Sequence, residues 1–231
     1  MIGDLLTIII PSYHEAENLK ILLPNIIANL AGVEYEILVV DTMMPMDDTP
    51  RIITQFEKVH CIVRSPTNAY GDAVRSGIKH ASGSHIIFMD ADLSHPVEFL
   101  KTFIQNRDKA DIVVASRYMN GVHSDNNKLS IMMSRLLNVV FTAIFKISCS
   151  DISNSYKLYN AALLKGITLK RQNFDIIQEI FIKLQKSKPN LQIIELPCEF
   201  HKRYAGYTKR QYIRYIYSYI ATIVSLKYFN R

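Results

Sequence analysis

The chain has 231 residues, 48% of them hydrophobic and 21% charged, with eight glycines and eight prolines. That composition excludes wholesale disorder, collagen-like repeats and low complexity, and the length supports a full core without disulfides or structural metal. The formal net charge is +6, yet no acid follows Glu199, so Lys202, Arg203, Lys209, Arg210, Arg214, Lys227 and Arg231 place the whole basic excess in residues 200–231.

The first 120 residues alternate short apolar runs with helical patterns. Leu5–Ile10 reads as a buried strand ending at Pro11, and Glu15–Asn29 as a helix with Leu19, Leu22, Leu23, Ile26 and Ile27 on one face. Strands follow at Glu36–Asp41, His60–Arg64, His85–Asp90 and Asp111–Ser116, separated by helical stretches at Pro50–Lys58, Gly71–Ala81 and Pro96–Gln105. Leu129–Ile147 is a long apolar helical pattern. Ser155–Asn160 is strand-like, Asp175–Lys186 helical, Leu191–Pro197 a strand and Arg210–Tyr228 a helix. Apolar strands alternating with helices predict an α/β fold with a mostly parallel sheet covered by helices on both faces, and a C-terminal amphipathic helix. In such sheets ligands bind outside the carboxyl ends of the strands, so the loops after Ile10, Val40, Val63 and Met89 should converge on one cleft. No repeat or Pro/Gly-rich linker appears, which gives one domain over 1–209 and an amphipathic segment over 210–231.

The three cysteines, Cys61, Cys149 and Cys198, are far apart and odd in number, which argues for a reducing compartment. The start of the chain lacks the basic region of a signal peptide. The longest stretches without Asp, Glu, Lys or Arg are Ile21–Val33 and Tyr215–Leu226, at 13 and 12 residues, short of the roughly 18–20 that span a bilayer. The acid-free tail holds seven of the 13 tyrosines. Amphipathic rings and cations suit a membrane interface, where each cation near anionic lipid contributes about 1 kcal/mol. A solvated helix packed on the domain has the same composition, and so does a nucleic-acid surface. The interface reading comes first, and no nucleic-acid partner is expected.

The strongest local signal is Phe88–Pro96, FMDADLSHP. Asp90 and Asp92 follow a buried strand with one small residue between them. At a strand end, positions i and i+2 point the same way. Two such carboxylates can share a hard divalent cation, Mg²⁺ or Mn²⁺, with phosphate completing its shell. The plainer alternative is that Asp92 caps the following helix. After the first strand, in PSYHEAENL, Tyr13 can stack on a base and Glu15 can accept from a ribose or base. Otherwise Glu15 and Glu17 complement the helix dipole. Asp41, at the end of the second strand, is either a nucleoside contact or a turn residue.

PSYHEAENL, VVD…P…DDT, NAYGDAVRSGIKHASG, FMDADLSHP, VVASRY and ELPCEFHKRYAGYTKR occur in an order that resembles the family-2, inverting, GT-A (Rossmann-like) glycosyltransferases. More narrowly, the chain resembles the dolichyl-phosphate mannose synthase and polyprenyl-phosphate glycosyltransferase branch. The likeness runs from about Ile8 to Lys209. It implies that Pro11, Tyr13, Glu15 and Asp41 hold the nucleotide, and that Asp90 and Asp92 bind the metal and the donor diphosphate. It also implies that Arg117, Arg203, Gly206, Thr208 and Lys209 face the donor and acceptor phosphates. The implied reaction moves mannose or another hexose from a GDP- or UDP-sugar to a lipid phosphate. The acceptor is already an anion, so metal and Arg/Lys clamps carry most of the chemistry. A glycan acceptor would instead want a carboxylate base, for which Glu179 and Asp151 are the candidates.

Several positions depart from the family pattern. Asp41-Thr42-Met43-Met44-Pro45 replaces Asp-Asp-Gly-Ser-Pro, Ser94 replaces a glutamine, His14 stands where asparagine is usual, and Lys157 stands at a phosphate-side arginine. These departures motivate a third reading, a non-catalytic binding subunit. Relatives often continue into transmembrane helices, so this chain is expected to sit peripherally at the cytoplasmic face of a membrane, directly or through a membrane partner.

Overall fold

The computed structural model describes residues 5–119, 128–201, 222–223 and 225–229. Arg203, Gly206, Thr208, Lys209 and most of the helix expected over Arg210–Tyr228 lie outside them.

Seven strands form one sheet: β1 (Leu6–Pro11), β2 (Tyr35–Asp41), β3 (Val59–Val63), β4 (His85–Phe88), β5 (Ile112–Ser116), β6 (Lys157–Asn160) and β7 (Ile193–Pro197), in the order β3-β2-β1-β4-β6-β5-β7. The helices are α1 (Ala16–Asn29), α2 (Thr49–Ile53), α3 (Tyr70–His80), α4 (Phe99–Asn106), α5 (Lys128–Phe145), α6 (Ala161–Lys165) and α7 (Ile176–Ser187). Alternate residues of the apolar strands face opposite sides. Ile9, Leu38, Ile86 and Phe88 pack with residues of α3, α6 and α7 on one face. Ile8, Ile10, Ile37, Val39 and Ile87 pack with α1, α2 and α4 on the other. Both faces are therefore covered, as the unbroken apolar runs require.

The sheet is mostly parallel, as expected, and the exception is one strand. β6 lies between β4 and β5 and runs antiparallel to both. Its amino-terminal end therefore sits at the carboxyl edge of the sheet, among the strand ends where the cleft forms. The short α6, absent from the sequence reading, begins where Asn160 accepts hydrogen bonds from the amides of Ala162 (3.0 Å) and Leu163 (3.3 Å), an N-cap. α2 is shorter than expected, ending at Ile53.

The described end of the tail packs on the domain. Thr222 and Leu226 are buried. The Thr222 hydroxyl donates to Asp175 at the start of α7 (2.6 Å), and Lys186 near its end donates to the Leu226 carbonyl (2.8 Å). This part of 210–231 behaves as a docked segment, with Lys227 and Tyr228 at its exposed rim.

Gly71 opens α3 against the loop before α7. A β-carbon there would lie 2.1 Å from the Arg171 carbonyl oxygen, and the Gly71 amide donates to the Gln172 carbonyl at 2.8 Å. Backbone cannot yield as a side-chain tip can. Gly71→Ala should therefore cost about 1–3 kcal/mol, read as a melting point lowered by roughly 2–12 °C. An unchanged melting point would contradict this close backbone approach.

Candidate active site

The loops after β1, β2 and β3 are laced together by one cation. Arg64 is buried, and its guanidinium donates to the carbonyls of Asp41 (3.1 Å), Val40 (3.0 Å), Asn68 (3.1 Å) and Ser12. Sequence reading missed it, because its partners are backbone oxygens that no motif displays. Asp47 was missed too. Its carboxylate accepts from the amides of Ala16 and Thr49, both at 2.9 Å, so it caps α1 from 31 residues downstream. Burial opposes its ionisation, but those bonds and the Thr49 hydroxyl outweigh burial and hold it below the usual carboxylate range.

Pro11, Tyr13 and Glu15 line the first of these loops at partly exposed positions. Glu15 accepts from the Asn18 side chain at 2.6 Å. Asp41 is buried at the end of β2, and burial, with Asp47 nearby, pushes its carboxyl above the ordinary range. The four loops do converge as expected: Ser12 donates to Val40, Arg64 to Asp41 and Met89 to Ile9 through their backbone amides, at 2.9, 3.0 and 3.0 Å.

Asp90 and Asp92 lie just beyond β4, in a turn rather than on an extended strand end, and Leu93 takes a left-handed conformation (φ 62°). The strand-based argument for their parallel aim therefore does not describe them. Asp92 is buried and accepts from the Ser94 amide at 3.1 Å. It does not cap α4, whose N-cap is Glu98. Asp90 keeps an exposed edge, and its Oδ1 accepts from the Ser155 hydroxyl at 2.9 Å. Ser155 reaches it because β6 runs backwards, which carries the register Phe88↔Lys157 on to Asp90 opposite Ser155.

Beneath the turn, His95 accepts the Asp90 amide on Nδ1 (3.0 Å). Its ring stacks on Tyr156 at 4.5 Å and meets the edge of Phe200 at 4.9 Å. Burial lowers its pKa, so the ring is neutral and serves the turn through its lone pair. Among the described residues no three His, Cys, Asp or Glu side chains cluster as a ready-made metal cage. Two carboxylates beside a diphosphate suit Mg²⁺ or Mn²⁺ nonetheless, since such ions take one or two protein carboxylates and draw the rest from phosphate and water.

Arg117 follows β5 and is clamped by Asp151. Its Nε and Nη2 donate to the two carboxylate oxygens, each at 2.8 Å, and its amide donates to Oδ2 at 3.0 Å. Its guanidinium lies 5.4 Å from the Phe200 ring and 5.2 Å from Tyr118, and Arg135 of α5 lies 5.1 Å from the same tyrosine. Arg135 did not stand out in the sequence. Between α5 and the 147–150 loop is a cavity of about 410 Å³, lined by Tyr118, Arg135, Asn138, Val139 and Ile147 among others.

Two other residues differ from the sequence reading. Lys157 does not face phosphate. It is wholly buried, donates to the carbonyls of Ile152 (3.1 Å) and Asn154, and burial pulls its pKa down to about 8. Glu179, a candidate base, is buried at α7. It accepts from the amides of Lys170 and Arg171 (2.9 and 2.8 Å) and pairs with Lys183 (2.9 Å). Asp151, the other candidate, is committed to Arg117.

The family model described as Glycosyl transferase family 2 matches residues 7–168. The chain belongs to that family. It is 32% identical over 234 residues to the dolichol-phosphate mannosyltransferase of Pyrococcus furiosus, covering 91% of this chain and 62% of that protein. It is 25% identical over 222 residues to the dolichol-phosphate mannosyltransferase of Saccharomyces cerevisiae, covering 88% and 80%. Glucosyl-3-phosphoglycerate synthase from Mycobacterium tuberculosis, solved with Mn²⁺, uridine diphosphate and phosphoglyceric acid, superposes with a TM-score of 0.74 at 15% identity, over 99% of this chain and 80% of that one. That likeness shows the fold alone, and the fold is GT-A-like.

The Arg117–Asp151 pair carries a clear stability expectation. Burial alone would raise the Asp151 carboxyl, but the Arg117 charge and its hydrogen bonds outweigh it and hold the group low. A depressed folded pKa contributes stability above the unfolded value of about 3.9, lost as pH falls through the folded value. Arg117→Met should therefore cost about 3–5 kcal/mol at neutral pH, because Asp151 stays buried without its partner. The deficit should shrink as pH falls, beginning above about pH 4, because burial raises the unpaired Asp151 carboxyl in the variant. Denaturant melts across pH check both, and a deficit unchanged by acid would contradict the pairing.

Proposed function

We propose that the chain transfers a hexose, mannose first among candidates, from a GDP- or UDP-sugar to a polyprenyl or dolichyl phosphate, with inversion at the anomeric carbon. The observation that carries this reading is the 151–155 loop. One end of it clamps Arg117 through Asp151, and the other holds Asp90 through Ser155. A carboxylate suited to the donor's metal and an arginine suited to phosphate are thus positioned by five consecutive residues.

Each group then has a role in this reading. Tyr13, Glu15 and Asp41 hold the nucleoside. Asp90 and Asp92 would hold Mg²⁺ or Mn²⁺, which when bound offsets the charge of the leaving nucleoside diphosphate. Arg117 and Arg135 face the acceptor phosphate at Tyr118, and Arg203 and Lys209 add cations from outside the described residues. Arg117 contributes its charge, its Nε–Nη2 edge being held by Asp151, and the planar fork of Arg135 suits pairs of phosphate oxygens. The acceptor oxygen is already ionised, so no proton need be removed. The commitments of Glu179 and Asp151 favour this acceptor over a glycan hydroxyl.

Membrane contact belongs to the same proposal. Among the described residues no helix is long and apolar enough to cross a membrane. α5, however, exposes Met132, Leu136, Val139 and Val140 along one face, and the sequence from Lys128 to Ser150 contains no acid. An apolar stripe on an acid-free helix suits an anionic lipid surface. It borders the cavity beside Arg135, where a lipid phosphate would arrive. We place the protein peripherally, at the cytoplasmic face.

Two measurements test this. A nucleoside diphosphate with Mn²⁺ at roughly 100 times its Kd should add about 2.7 kcal/mol, raising the melting point by roughly 5–10 °C. EDTA, Asp90→Asn or Asp92→Asn should each abolish that shift. A shift that survives all three would remove the metal site from the proposal. Leu136→Asp with Val139→Asp should abolish sedimentation with anionic vesicles while leaving the nucleotide shift intact. Undiminished sedimentation would take the membrane face away from α5.

A further inference from the structure

Most of the large apolar side chains exposed among the described residues fall in two groups. One is the α5 stripe. The other comprises Met43, Met44 and Met46, at 47%, 74% and 41% exposed, with Val63 at 57%. Asp41 and Val63 are register partners at the ends of β2 and β3, so this second group stands at the mouth of the cleft.

The methionine segment is well tethered. The Thr42 hydroxyl donates to the Met44 carbonyl at 2.6 Å, and the Met43 amide donates to the Asn68 side chain at 2.8 Å. Asp47 fixes the far end through the Ala16 and Thr49 amides. An ordered backbone thus presents three thioethers to water. Directly before them, Asp41 is 3% exposed and its Oδ2 has no hydrogen-bond partner. A buried acceptor left unpaired is costly. A ribose hydroxyl, common to all nucleotides, is the kind of donor that would satisfy it. The apolar patch and the unpaired oxygen are contiguous in the chain, and both lie at the strand ends that bind ligand in this architecture.

We infer that Thr42–Met46 is the base-facing wall of the donor site, holding the nucleobase by thioether contact with its ring while Asp41 supplies the polar contact. This rests on the donor-site reading above and adds how the base is chosen. Thioethers are polarisable and conform to any aromatic face. They discriminate by ring area and carry no directional donor or acceptor pattern. A wall of this kind favours purines over pyrimidines, because a larger ring buries more surface. It separates guanine from adenine weakly, since hydrogen-bond patterns are what discriminate strongly between such analogues.

The test is calorimetric titration of the full chain with GDP, ADP and UDP in Mn²⁺, alongside the Met43→Ser/Met44→Ser/Met46→Ser variant. These side chains are exposed, so the variant should melt with the parent. The parent should bind GDP and ADP within about tenfold of each other and UDP more weakly; the variant should bind the purines about tenfold less well, a change of about 1.4 kcal/mol, and UDP less affected. Unchanged purine affinities in the variant would overturn the wall and leave the donor site standing. A larger gap between GDP and ADP in the parent would do the same. No binding of any nucleotide by the parent would remove both the wall and the donor-site reading.

Discussion

The cleft depends on the reversal of β6. Because this strand runs antiparallel between β4 and β5, the chain must cross the carboxyl edge of the sheet before entering it. The crossing is the 150–156 segment. It places Asp151 against Arg117, Ser153 within 3.3 Å of the same guanidinium and Ser155 against Asp90. An all-parallel continuation would send these residues to the opposite edge. Asp90 after β4 and Arg117 after β5 would then lack the groups that orient them.

Two buried cations keep the strand ends in place. Arg64 holds the loops after β1, β2 and β3 and Lys157 the loop before β6, and the hydrogen bonds of both run to backbone carbonyls. A buried cation is costly unless its donors are satisfied, and burial accordingly lowers the pKa of each. The arrangement exchanges loop freedom for fixed geometry, which a site that stabilises charge through preset dipoles and cations requires. The carboxylates that could serve as bases are bound in the same way, Asp151 by Arg117 and Glu179 by the 170–171 amides. A reaction whose acceptor arrives ionised suits such a framework.

Much of this was legible in the sequence. Uninterrupted apolar runs announced strands buried on both faces, and the positions of Asp90, Asp92 and Asp41 after such runs put them at the ligand edge of the sheet. Strand direction was not legible, since Lys157–Asn160 carries no residue that encodes it. Lys157 looked like a phosphate ligand from its place in the motif, yet the backbone carbonyls of its own loop capture it. Arg64 carried no signal, and Asp47 stood in the quoted DDT without a visible role, because their partners are main-chain groups, several of them distant in sequence. Arg135 sat inside an apolar helical pattern, and only packing brought it to Tyr118. The exposed methionines were visible as a departure, but their tethering was not.

The central claim is that these strand ends carry a sugar from a nucleotide to a lipid phosphate. The most direct measurement incubates the purified chain with Mn²⁺, polyprenyl phosphate and sugar-labelled GDP-mannose or UDP-glucose, then follows label into the organic phase and identifies the product. The expected result is a lipid-linked monosaccharide, released nucleoside diphosphate in equal amount, and an inverted anomeric configuration. Bound nucleotide with no label leaving the aqueous phase for either donor would contradict it, and so would a product that retains the donor's configuration.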